Sequence, residues 1–124
     1  MRLKLYVALV AAANLISSVY TELSFARTIK INNQNGLASV YSTESGSRTS
    51  SGGRLNPGAL TAAHRSLPFG SKVRVTNRNN GHSVLVTIND RGPFVGGRVI
   101  DVTPAAARAL GFSGVVPVSL KVER

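Results

Sequence analysis

The sequence predicts a small closed β-barrel with a single short helix, and three observations carry that prediction. Apolar and polar residues alternate in six short runs, the pattern of half-buried strands. One segment alone, "AAARAL" (residues 105–110), has helical composition, too little for a parallel sheet whose crossovers are helices. Strands this short would leave exposed edges, and closing the sheet on itself removes them.

The elements follow in order. "LASVYS" (37–42) alternates as a first strand, after a polar stretch "RTIKINNQN" (27–35) that reads as a loose arm. Residues 43–58, "TESGSRTSSGGRLNPG", offer nothing to fill a core and predict a long surface loop. "LTAAH" (60–64), "KVRVTN" (72–77) and "SVLVTIN" (83–89) are the next strands. "LPFG" (67–70) punctuates the chain before the second of these, and "RNNG" (78–81) joins the last two, with Asn80-Gly81 as a tight-hairpin signal. "RVID" (98–101) is the fifth strand. Thr103 then caps the helix, Pro104 suits its first turn and Gly111 its stop. "VPVSLKVE" (116–123) closes the chain with Val118, Leu120 and Val122 on one face.

The start of the chain reads as an export signal. Arg2 and Lys4 precede the apolar run "LYVALVAAANLI", which is short for a membrane span, and Ser24 and Ala26 are small residues placed for cleavage after Ala26. The expected organisation is a signal peptide (1–26), a flexible arm (27–35) and one barrel domain (36–124), periplasmic or secreted from a bacterium. With no cysteine, neither a disulfide nor a lipidated anchor is expected.

A net charge of +10, from 15 Lys and Arg against 5 Asp and Glu, attracts polyanions. Nucleic acid fits poorly, because an exported domain rarely meets it and no Lys/Arg run is interleaved with aromatics. An anionic bacterial wall suits the compartment better, and a basic surface that merely confers solubility is the plain alternative. Two histidines in unlike settings make no metal-ligand spacing, so no metal or other cofactor is expected.

Three stretches, "ALTAAHRSLPFGSKVRVTN", "VTINDRGPFVGGRVIDVTPAAARALG" and "VPVSLKV", resemble the rare lipoprotein A (RlpA) family of septal lytic transglycosylases. The resemblance runs from about residue 36 to 122 and implies a six-stranded double-psi β-barrel with a groove for a peptidoglycan glycan strand. It also implies endolytic cleavage of the β-1,4 bond from N-acetylmuramic acid to N-acetylglucosamine, on strands stripped of stem peptides. The muramic C6 hydroxyl attacks its own anomeric carbon and leaves a 1,6-anhydro end. Expansins, which loosen walls with little hydrolysis, share the barrel. Nothing in the sequence singles out a division or wall-synthesis protein as partner.

Such a reaction needs one carboxylic acid that gives a proton and then takes one. Asp90, in "NDRGPF", is the first candidate and matches a proposed catalytic aspartate of the family; the alternative is a turn aspartate accepting backbone N–H groups. Asp101 matches the functional aspartate of expansin-type barrels, although an acid beside a helix start is also stabilised by about 0.3–1 kcal/mol. Two acids at neighbouring strand ends can push one pKa up, as a general acid at neutral pH requires. His64, in "AAHR", matches the family's functional histidine and is placed to support Asp90, or else bonds loop backbone.

Arg65 and Arg91 flank these residues and are the candidates for gripping the muramic lactyl carboxylate, with an unassigned surface role as the alternative. Tyr41 is a candidate to stack on a sugar face or to pack in the core. One departure stands out. The family loop before "ALTAAH" runs close to small-Gly-Glu-x-aromatic-Asp, whereas this chain has "SGGRLN", with Gly53, Leu55 and Asn56 at the Glu, aromatic and Asp positions. Asn56 can hydrogen-bond a sugar hydroxyl but cannot transfer a proton, and Glu44 is the candidate acid in the same loop to substitute. The alternative function is therefore a non-catalytic glycan-binding or expansin-like wall-loosening barrel.

Overall fold

The computed structural model describes residues 33–41 and 48–123, so the signal segment, the first part of the arm and Glu44 lie outside the described residues. Six strands, β1 (Asn33–Val40), β2 (Thr61–Ala63), β3 (Lys72–Asn77), β4 (Ser83–Asp90), β5 (Arg98–Val102) and β6 (Val115–Glu123), and one helix, α1 (Pro104–Leu110), form the domain. The strands close into a barrel in the order β1-β5-β2-β4-β3-β6. β1 runs parallel to β5 and β2 parallel to β4, while the other neighbours are antiparallel.

Strand alternation builds the core. Val73 and Val75 of β3, Val86 and Ile88 of β4, Ile100 and Val102 of β5, and Val118 of β6 point inward and are buried. Their partners on the same strands, such as Arg74, Thr87 and Ser119, lie on the less buried face. Leu110 of α1 is also fully buried and joins this core.

The helix forms as its ends predict. Thr103 Oγ1 accepts from the Ala106 amide at 3.4 Å, Pro104 occupies the first turn, and Gly111 stops the helix in the left-handed region at φ 72°. The β3–β4 connection is longer than a two-residue hairpin. Asn77 N donates to His82 O at 2.8 Å, enclosing residues 78–81, and Gly81 takes a positive φ of 77°.

β1 corrects the expected arm. Asn33, Gln34 and Asn35 belong to the strand and pair with Lys121, Leu120 and Ser119 of β6. Their polarity hid the strand, because most of this end of β1 is exposed and only its backbone is committed to the sheet. Gly36 is required where β1 nears β5: a Cβ there would lie 2.4 Å from a Val99 methyl.

Candidate active site

Two aspartates come together because of β2. This strand is three residues long, and Ala63 pairs with Asp101 of β5 on one side and Asp90 of β4 on the other. The register between β2 and β4 shifts after Ala62, which opposes Ile88, so Asn89 is the extra residue of a bulge. Without that bulge Asn89, not Asp90, would oppose Ala63; the bulge re-aims the acid into the row of Asp101. The row continues to Ser39 of β1, the partner of Asp101.

Both carboxylates line one cavity of about 370 Å³ together with Tyr41, Leu55, Phe94 and three arginines, Arg48, Arg91 and Arg98. The chain enters its rim through a cis Gly92-Pro93 peptide, and Phe94, which lines the cavity, is 80% exposed.

Asp90 is anchored. Its Oδ1 accepts from the Ser50 amide at 2.8 Å, the Ser50 hydroxyl at 2.7 Å and the Arg91 amide at 2.8 Å, and its Oδ2 accepts from the Tyr41 hydroxyl at 3.1 Å. Partial burial pushes this carboxyl upward, but the four donors outweigh burial and hold the pKa below its ordinary 3.8. The direction is opposite to that of a general acid poised at neutral pH. Tyr41 is tied to the same network: burial, then the charges of Asp90 and Asp101, raise its pKa, so it stays protonated and donates. Asp101 receives a hydrogen bond from the Ser39 hydroxyl on Oδ1, and Oδ2 accepts none from the other described residues.

His64 lies elsewhere. It is buried, its Nδ1 accepts from the Ser66 and Leu67 amides at 3.1 Å each, and its Nε2 lies 2.9 Å from Gln34 Oε1. Two amides aimed at Nδ1 leave the proton on Nε2, which donates to Gln34. Burial, then the charges of Arg91 and Arg65, hold its pKa below the ordinary 6.5. A neutral ring with both nitrogens engaged sets the turn after β2; it touches Asp90 only through the backbone, His64 N donating to Asp90 O at 3.1 Å.

The expected substrate grips are likewise engaged within the protein. The Arg91 guanidinium donates to the carbonyls of His64 at 3.1 Å and Leu67 at 2.7 Å and lies 4.0 Å from the Phe69 ring centroid. Arg65 donates to the Arg98 carbonyl at 2.7 Å. Asn56 Oδ1 accepts from the Gly58 amide at 2.9 Å, closing its own turn, and Asn56 does not line the cavity. Sequence reasoning missed Ser50, Arg48, Arg98 and Phe94. Ser50 lies in a run of like residues that gives no signal, whereas an aromatic after Gly-Pro in a turn was a usable cue for Phe94. Among the described residues no three potential metal ligands lie together.

A six-stranded double-psi barrel with paired carboxylates in a cationic cleft is the class that this fold and site define. The chain belongs to the lytic transglycolase family, whose family model matches residues 33–120. It is 56% identical over 102 residues to a probable endolytic peptidoglycan transglycosylase RlpA of Nostoc sp., covering 78% of this chain and 27% of that protein. It is 51% identical over 92 residues to the endolytic peptidoglycan transglycosylase RlpA of Neisseria meningitidis serogroup A, covering 73% of this chain and 38% of the relative. The chain thus spans well under half the length of these relatives. In fold it is similar to a Streptomyces papain inhibitor (TM-score 0.60, 21% identity, 74% of this chain and 94% of the other). It is equally similar to a Clavibacter michiganensis expansin mutant in complex with cellohexaose (TM-score 0.59, 23% identity, 74% and 50%).

Proposed function

We propose that this domain binds peptidoglycan glycan strands in the cavity and cuts the bond from N-acetylmuramic acid to N-acetylglucosamine without water. The observation that carries the reading is the single row Asp90, Ala63, Asp101, which places two carboxylates on one cleft. Asp101 gives a proton to the glycosidic oxygen as the bond to the anomeric carbon breaks. The C6 hydroxyl oxygen of the same muramic residue then bonds that carbon, and its proton returns to Asp101, so no water is consumed. Asp90, kept ionised by its donors, offsets the positive charge that develops on the sugar ring. This reverses the order expected from sequence, where Asp90 was the acid. The domain acts outside the cytoplasmic membrane, where its substrate lies.

The test is digestion of peptide-stripped sacculi, with soluble products read by mass spectrometry. Wild type releases anhydro-ended glycans; Asp101→Asn releases none yet still sediments with sacculi. Products from Asp101→Asn at the wild-type rate would remove that residue from the chemistry. A second reading, a wall-binding or wall-loosening barrel without turnover, is favoured by the low pKa of Asp90 and by Gly53 and Asn56, which carry no proton to transfer. Wild type that binds sacculi but releases nothing would establish that reading instead.

A further inference from the structure

The cleft holds charges of both signs that do not pair. Arg48, Arg91 and Arg98 line it with Asp90 and Asp101, yet among the described residues the ion pair found is Arg74 with Glu123, between β3 and β6. The two carboxylates take their hydrogen bonds from neutral donors: the Ser50 amide and hydroxyl, the Arg91 amide, the Tyr41 hydroxyl and the Ser39 hydroxyl. Arg91 is committed to loop carbonyls and an aromatic ring. Arg98 differs. Its backbone is fixed at the start of β5, with the amide donating to Val95 O at 3.2 Å and the carbonyl accepting from Arg65, while its guanidinium bonds to none of the other described residues.

A guanidinium on a residue that lines the same cavity as two carboxylates, and that is bonded to neither, is available to an anion brought by the ligand. A neutral sugar offers it hydroxyl and carbonyl acceptors but no charge, so the stronger, bidentate pairing needs an anion. We propose that Arg98, reinforced by the charge of Arg48, reads a free carboxylate carried by the sugar next to the bond being cut. The inference rests on the glycan-cleaving reading above and deepens it: in that substrate the group is the lactyl carboxylate, ionic when unsubstituted and lost as a charge when amide-linked. Selection of stripped strands is then an act of one arginine on the barrel, and Arg65 and Arg91 hold the structure around it.

The test measures binding apart from turnover, with Asp101→Asn as the background protein throughout. Its affinity is compared for N-acetylglucosamine/N-acetylmuramic acid oligosaccharides with a free lactyl carboxylate and for the same oligosaccharides converted to the neutral methylamide. The background protein is expected to prefer the free acid by about tenfold, the scale of one charge-assisted contact. Arg98→Gln brings that ratio close to one, Arg98→Lys restores part of it, and Arg108→Gln, on the helix, leaves it as it was. A ratio near one in the background protein, or a ratio that survives Arg98→Gln, overturns the assignment. If Arg98→Gln does not fold, added salt decides: a preference that does not decline is not ionic, and the assignment fails. Failure of both oligosaccharides to bind would instead overturn the glycan-site reading on which the assignment stands.

Discussion

Replacing Asp90 by Asn changes one atom and one charge, and its cost can be worked from the contacts. Three donors on Oδ1 remain, but each loses the charge assistance that makes a hydrogen bond to a carboxylate about twice as strong as a neutral one. On the other side an amide NH2 meets the Tyr41 hydroxyl, which must then accept instead of donate. With a neutral bond worth about 1 kcal/mol net, and a discount for solvent screening at this half-exposed position, the loss is about 1–2 kcal/mol at pH 7. For a domain of this size that corresponds to a fall in Tm of about 5–10 °C. The pH dependence gives a sharper test. The folded-state pKa of Asp90 lies below the ordinary 3.8, so its stabilisation is present above that value and is lost as pH falls through the folded one. Thermal melts of wild type and Asp90→Asn should therefore differ at neutral pH and converge in strong acid. Equal Tm values at pH 7, or a gap that persists unchanged at pH 2, would refute the anchoring argument.

Two further outcomes follow from the same contacts. His64→Ala leaves two inward amides and Gln34 without their partner and should cost about 2–4 kcal/mol in urea unfolding. Because the folded pKa of His64 lies below 6.5, its stabilisation is full above that pH and lost on acidification through the folded value; the variant should show a flatter stability profile in that window. Phe94→Ala, at an 80% exposed position, should leave stability within about 0.5 kcal/mol. The same change should weaken glycan binding about three- to tenfold, as expected for loss of one aromatic face, and unaltered titrations would remove Phe94 from the ligand surface.

Release of the 48–55 loop is the structural effect to watch in Asp90→Asn. Ser50 reaches the barrel through this carboxylate, and the same loop brings Arg48 and Leu55 to the cavity. In the proposed reaction the charge that offsets the sugar cation and the clasp for the loop are thus one residue, so Asp90 variants are expected to lose binding along with any turnover. Asp101, bonded to Ser39 within the sheet, carries no loop and separates the two effects.

The sequence by itself determined the closed β class, the positions of five of the six strands to within a residue or two, and both ends of the helix. These features are local: a period of two, Thr103 and Pro104 before a run of alanines, Gly111 after it. It also placed Asp90 and Asp101 at strand ends, and its motifs pointed to the right family. The tertiary structure alone decided which side chains meet. One extra residue at Asn89 sets Asp90 in the row of Asp101, and no local pattern announces a bulge. His64 and Arg91 belong to the sequence motifs but spend their bonds on the turn after β2, while Arg48 reaches the cleft, and Ser50 reaches Asp90, from a segment about forty residues away. Side-chain partners in a barrel are fixed by register between strands far apart in the chain, and that register exists only once the sheet has closed.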